Sequence, residues 1–164
     1  MEDWGNFYML IGGTAGTLIG LIFVVVTLDI EHRQAGDSVR TRLFVTPILV
    51  NFTNLLLISL VMVGPISSPL RALALALIGC AGLAYATNLA FTSRSKNDTE
   101  ERELIWDVLL PIAGYMLVTI AAASWALGAS FANAAGAVAV VVLLITAIRN
   151  SWMTTLAIAG WKSR

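Results

Sequence analysis

Five long stretches of this chain consist almost entirely of apolar residues, and a helix of roughly 20 such residues is what crossing a bilayer requires. They cover residues 6–28, 43–64, 72–92, 104–128 and 134–160. None shows the strict alternation of apolar and polar residues that a barrel strand needs, and each is longer than such a strand. Because a backbone in lipid must satisfy its own hydrogen bonds, the sequence predicts an all-α, polytopic transmembrane bundle, a single integral membrane domain over residues 1–164.

The composition argues against a soluble protein. Apolar residues make up 58% of the chain and charged residues only 12%, against about 25% in a typical soluble domain. Ten basic and ten acidic residues leave no net charge, so electrostatics gives no reason to expect a nucleic-acid partner. The lone Cys80 and the lone His32 exclude an intrachain disulfide and multi-cysteine or multi-histidine metal sites. We therefore expect no metal and no cofactor.

The basic residues predict how the spans are oriented. Nine of the ten lysines and arginines lie after the first, third and fifth spans or just before the chain end, and only Arg71 lies on the other side. By the positive-inside rule the N-terminus is outside and the C-terminus cytoplasmic, which requires an odd number of spans. Arg149 and Asn150 interrupt the fifth span, so four spans are an alternative, with residues 150–161 lying along the interface. The expected location is the bacterial cytoplasmic (inner) membrane.

Small residues recur at every fourth position in two spans. They are Gly12, Gly16 and Gly20 in the first span, and Ala76, Cys80 and Ala84 in the third. Without long side chains, two helices approach closely, either within one chain or between two chains, so these are candidate packing positions. Pro47 and Pro111 are candidate kinks, because proline removes an amide N–H and frees the carbonyl one turn back.

The segment from Gly12 to Val24, GGTAGTLIGLIFV, resembles the first helix of small uncharacterised bacterial multi-pass membrane proteins. The resemblance covers under a tenth of the chain. It implies a small membrane protein of four to five helices. Since that group has no established activity, it implies no functional residue.

Polar side chains inside the spans are the candidates for a functional site, because amides and charges are costly at membrane depth. All fall in the half of the span that is predicted to be cytoplasmic. They are Asn51, Asn54, Asn88, Asp107, Arg149 and Asn150. Asp107 and Arg149 lie at similar depth on consecutive antiparallel helices, and we expect them to form an ion pair. The alternative is a static clasp or an Arg149 that snorkels to the interface.

The motif content leaves two main classes of function open. No phosphate-binding, dinucleotide-binding, metalloprotease or serine-hydrolase motif occurs, so an enzyme is not expected; an intramembrane enzyme that uses Asp107 and His32 ranks third. The first hypothesis is a homo-oligomeric channel or pore for ions or small solutes, lined by the polar residues. The alternative is a non-transporting accessory, assembly or regulatory subunit that binds a membrane partner protein through its cytoplasmic rim or a small-residue stripe.

Overall fold

The computed structural model describes residues 2–32, 38–94 and 109–158, and its regular elements are five α-helices with no strand among these residues. They are α1 (Glu2–His32), α2 (Ser38–Val63), α3 (Ser68–Arg94), α4 (Leu110–Ala126) and α5 (Ala132–Ile158). The predicted all-α fold is confirmed for the described part of the chain.

Four of the helices are long and apolar enough to cross a membrane. Their apolar segments are Trp4–Leu28, Thr46–Val63, Ser68–Phe91 and Ala132–Met153. Helix α4 has 17 described residues, which at 1.5 Å per residue gives about 25 Å, less than the roughly 30 Å of a hydrocarbon core. The predicted start of this span at residue 104 lies outside the described residues. A fifth crossing therefore stays a prediction.

The predicted interruption of the fifth span and the two predicted proline kinks lie at different positions in their helices. Helix α5 continues without a break through Arg149 and Asn150 to Ile158, while residues 159–161 of the predicted interfacial segment lie outside the described part. Pro47 lies inside α2. Pro111 is the second residue of the described part of α4, and the residue one turn before it lies outside the described part. Both kinks stay predictions.

The helices form a four-membered ring with α1 outside it. Helix α2 packs against α3, α3 against α4, α4 against α5, and α5 against α2. Helices α2 and α4 therefore lie on a diagonal, and in the described residues their backbones do not touch. Helix α1 packs along α2 and makes a small contact with α5. There the Tyr8 hydroxyl donates a hydrogen bond of 3.0 Å to the carbonyl oxygen of Asn133.

The turn between α4 and α5 is uncharged and apolar. Leu127 is 84% exposed and Phe131 is 60% exposed. Gly128 has a φ of +66°, which an L side chain rarely adopts. The amide of Gly128 donates to the carbonyl of Trp125, and the next amide donates to that of Ser124, at 3.2 and 2.9 Å. This pattern is a Schellman ending, so the backbone of the turn is hydrogen-bonded within the chain.

Candidate functional site

Three polar side chains form a hydrogen-bonded cluster at the centre of the ring, which we call the Asn–Tyr cluster. Asn54 Nδ2 donates to the hydroxyl oxygen of Tyr115 at 2.7 Å, and that hydroxyl donates to Asn51 Oδ1 at 2.8 Å. Asn51 and Tyr115 are buried, and Asn54 is half-buried. The cluster joins α2 to α4 across the diagonal of the ring, where the two backbones do not meet.

The local sequence explains why the cluster forms. Asn51 and Asn54 are three residues apart, so they lie on one face of α2. The Tyr115 ring reaches them because Gly82 of α3 has no side chain: a Cβ at that position would overlap the ring. Gly114, next to Tyr115, gives Leu143 of α5 a similar approach, with 2.5 Å between a Cβ built there and Leu143 Cδ2. Gly82 thus lets the Tyr115 side chain approach α3, and Gly114 lets α5 approach α4 beside it.

The Asn–Tyr cluster is suited to holding helices together. Two amide groups and a phenol bring no charge, and in the described residues no three His, Cys, Asp or Glu side chains lie close enough to hold a metal ion. The three side chains of the cluster form hydrogen bonds with one another, and Phe52, Leu55 and Leu143 are buried in the same hydrophobic core as Tyr115. In such a setting the hydrogen bonds fix the register of α2 against α4.

The other predicted polar residues have separate positions. Asn88 is exposed on α3, and Arg149 and Asn150 are half-buried towards the end of α5. The Oδ1 atom of Asn150 is buried without a hydrogen-bond partner. Asp107 lies outside the described residues, so its ion pair with Arg149 stays a prediction.

The glycines of α1 differ in what they contact. A Cβ built at Gly12 would lie 3.0 Å from Ser59 Cβ of α2, so this glycine permits close packing within the chain. A Cβ built at Gly16 or Gly20 would meet no atom within 4 Å. Of the three glycines in the predicted stripe of α1, Gly12 is therefore the one that packs against another described helix.

Helix α3 contacts its neighbours through a face that differs from the predicted stripe of small residues on this helix. Cys80 and Ala84 are exposed, and Ala76 is half-buried against the core. The buried positions of this helix alternate at spacings of three and four. They are Ala72, Leu75, Gly79, Gly82 and Ala86. This spacing is that of a heptad seam, a signal in the sequence that identifies the packed face.

Arg71 closes the end of the bundle at which α1 begins. Its Nε donates to the carbonyl oxygen of Val61 at 3.3 Å, and its Nη2 donates to that of Gly64 at 3.1 Å. The guanidinium carbon lies 4.7 Å from the centroid of the Trp125 ring, within the range of a cation–π contact. Arg71 thus ties the end of α2 and the start of α3 to the end of α4.

Tyr115 is the site residue that sequence reasoning missed. It lies 11 residues before the end of α4 at Ala126, whereas aromatic residues of membrane helices concentrate at the interfaces. A buried tyrosine hydroxyl needs a hydrogen-bond partner. A tyrosine well inside one apolar stretch, with two asparagines inside another, is the signal that could have identified the cluster.

Comparisons with known proteins add no assignment. No protein-family model matches the chain, and neither a curated protein nor a solved structure gives a significant match.

Proposed function

We propose that the protein is a non-transporting membrane subunit that works by association in the bilayer, with α1 as its contact helix and a second copy of α1 as the partner. The surface concerned is the exposed small-residue face of α1, formed by Gly13, Gly16, Thr17 and Gly20. The single observation that carries the proposal is that a Cβ at any of its three glycines would meet no atom within 4 Å.

Helix α1 is the least covered of the four long apolar helices. Within an apolar window of 18 residues 17% of the residues of α1 are buried inside the chain, against 28% in α3 and 39% in α2 and in α5. The residues that contact the rest of the chain, such as Ile11 and Ala15, lie on the opposite side of the helix from Gly13. The Thr17 hydroxyl donates to the carbonyl oxygen of Gly13 at 2.9 Å. The small-residue face is therefore smooth and needs no polar partner.

Glycine at these positions is costly unless something packs there. Each glycine inside a helix costs about 1 kcal/mol relative to alanine, and among the described residues no packing contact offsets that cost at Gly13, Gly16 or Gly20. Membrane helices associate through close van der Waals contact, for which small residues are required. A second α1 laid on this face supplies that contact.

The buried polar residues favour association over conduction. The amides expected to line a pore, Asn51 and Asn54, point into the centre of one chain, where Tyr115 uses them. Phe52, Leu55 and Leu143 are buried in the same hydrophobic core as Tyr115. These amides are consequently turned away from any path between neighbouring chains.

The proposed topology has five crossings, with the N-terminus outside and the C-terminus in the cytoplasm of a bacterial inner membrane. The Tyr8–Asn133 hydrogen bond and the Arg71–Trp125 contact support it, because they bring the starts of α1, α3 and α5 to the same end as the ends of α2 and α4. All basic residues except Arg71 then fall towards the opposite end, as the positive-inside rule requires.

Disulfide trapping tests the proposal. In a Cys80→Ser background, Thr17→Cys should give a covalent dimer upon mild oxidation in native membranes, because two copies of the small-residue face bring the two sulfur atoms together. The unaltered chain, whose only cysteine is Cys80, exposed on α3, is the control and should give no covalent dimer. A dimer through Cys80 and none through Thr17→Cys would contradict the proposal.

Gly16→Leu should weaken the dimer at least tenfold, which corresponds to about 1.4 kcal/mol, since the leucine separates the helices. Native mass spectrometry in nanodiscs measures this as the loss of the dimer mass. Ala81→Leu, at an exposed alanine of α3, is the control and should leave the dimer unchanged. A different protein retained by the chain and released by Gly16→Leu would show that the face binds a foreign helix.

A homo-oligomeric channel is the second candidate function, and Asn88 supports it. This amide is exposed on the outside of α3, where a path between chains would run, and amides at membrane depth are common in such paths. If the channel is correct, proteoliposomes should show solute flux that Asn88→Leu lowers about tenfold or more and that Asn51→Leu does not. If the protein is a non-transporting subunit, the unaltered chain, Asn88→Leu and Asn51→Leu should all show flux equal to that of empty liposomes.

A further inference from the structure

A groove of about 610 Å³ lies between α3 and α4 at the end of the bundle where α1 begins. We call it the α3–α4 groove. Its lining includes Ala72 and Ala76 of α3, and Ala122, Ala123, Trp125 and Ala126 of α4. Five of these six side chains are methyl groups, so the two helices leave space between them although they pack closely deeper in the bundle.

The groove is apolar and opens on the outside of the bundle. Leu73 and Ala123 line it and are exposed to the surroundings. The hydroxyl of Thr119, which also lines it, already donates to the carbonyl oxygen of Tyr115 at 2.9 Å. Apart from Ser68 at the start of α3, the rest of the lining offers hydrocarbon contact.

A cation stands beside this apolar groove. The Arg71 guanidinium lies against the Trp125 ring, and that ring lines the groove. Hydrogen bonds to the carbonyls of Val61 and Gly64 use two of its N–H groups, whereas a guanidinium has five. Arg71 is half-buried. Among the described residues, Arg71 is the one basic side chain at this end of the bundle.

We propose that the α3–α4 groove binds one membrane phospholipid, with an acyl chain along the alanines and the phosphodiester at Arg71. The apolar walls match an acyl chain, and the guanidinium matches an anionic phosphate, to which arginine presents several N–H groups at once. The half-buried Arg71, which uses two of its five N–H groups within the chain, favours an occupant with an anionic phosphate over an uncharged apolar helix.

Trp125 provides the readout. In a variant that keeps Trp125 and carries phenylalanine at Trp4, Trp106, Trp152 and Trp161, phosphatidylglycerol with brominated acyl chains is titrated into the detergent-solubilised protein. Bromine quenches indole fluorescence on contact, so binding should quench Trp125 saturably with one lipid per chain. Native mass spectrometry of the same sample should show one retained lipid. Inorganic phosphate in excess should not reverse the quenching, because the acyl chain holds the lipid.

Two substitutions and one matched control locate the site. Ala123→Leu fills the groove and should weaken the binding of brominated lipid at least tenfold. Arg71→Gln should also weaken it, with a larger effect for phosphatidylglycerol than for brominated diacylglycerol. Ala113→Leu, at an exposed alanine of α4 outside the groove, should bind as the parent does. Helical content by circular dichroism checks that each variant is folded.

Other outcomes would overturn the proposal. Quenching that does not saturate, or that is equal in Ala123→Leu and Ala113→Leu, would mean that no lipid occupies the groove. Unchanged lipid binding in Arg71→Gln would mean that Arg71 does not contact the lipid phosphate. Loss of quenching on dimer formation, with no lipid retained, would show that a second chain covers the groove. These readouts measure lipid and are independent of trapping through Thr17→Cys.

Discussion

Replacing Tyr115 with phenylalanine is expected to lower the free energy of unfolding by about 1–3 kcal/mol, the cost of leaving a buried hydrogen-bonding group without its partner. The substitution keeps the aromatic ring and removes the hydroxyl that joins Asn54 to Asn51. Tyr115→Ala should cost more, about 3–5 kcal/mol, since it also leaves a cavity at the centre of the four-helix ring.

Unfolding in mixed detergent–SDS micelles, followed by circular dichroism, measures both values. Tyr85→Phe is the matched control, because Tyr85 lies half-buried on α3 and neither of the cluster's hydrogen bonds involves its hydroxyl. It should leave the midpoint nearly unchanged. A double-mutant cycle with Asn51→Leu isolates the pairwise energy; a coupling near zero would contradict the role given to the cluster.

The second large effect is expected at Gly82. A Cβ at this position would overlap the Tyr115 ring, and forcing extra atoms into a packed core costs about 1–3 kcal/mol. Gly82→Ala should therefore destabilise the fold although alanine favours a helix by about 1 kcal/mol over glycine. The same detergent–SDS titration measures it.

The sign of the effect distinguishes packing from helix propensity. Gly13→Ala, where a Cβ would meet nothing within 4 Å, should be neutral or stabilising when measured on the diluted monomer. Combining Gly82→Ala with Tyr115→Leu should cost less than the sum of the two single changes, because the ring that collides is gone. If Gly82→Ala behaves like Gly13→Ala, the close approach of Tyr115 to α3 is wrong.

The helices could be predicted from the sequence because lipid leaves few alternatives. Apolar stretches of this length leave the backbone only the helix, and Gly64-Pro65 and Gly128 stand where the structure interrupts it. Several described helices extend a few residues beyond the predicted spans. For instance, α1 reaches His32, beyond its apolar stretch. The number of crossings depends on α4, whose described part is short.

The site could be predicted only in part. The cost of buried amides identifies Asn51 and Asn54 as special, yet their partner lies on a helix that is not adjacent in the ring. Periodicity shows which residues share a face of one helix, but it does not show which helices face each other across a bundle. For the same reason Gly12 and Gly16 look alike in the sequence, although one packs against Ser59 and the other contacts nothing in the chain.

The ring of α2, α3, α4 and α5 has a consequence for how the chain is made. Asn51 is 64 residues ahead of Tyr115, and the contact between α2 and α5 spans a longer segment still. Both asparagines therefore precede their phenol partner in the order of synthesis. Residues 108–148 carry no charge, so in the proposed five-crossing topology we expect α4, its apolar turn and α5 to insert together as a hairpin. Tyr115 would then reach the asparagines of α2 after that insertion.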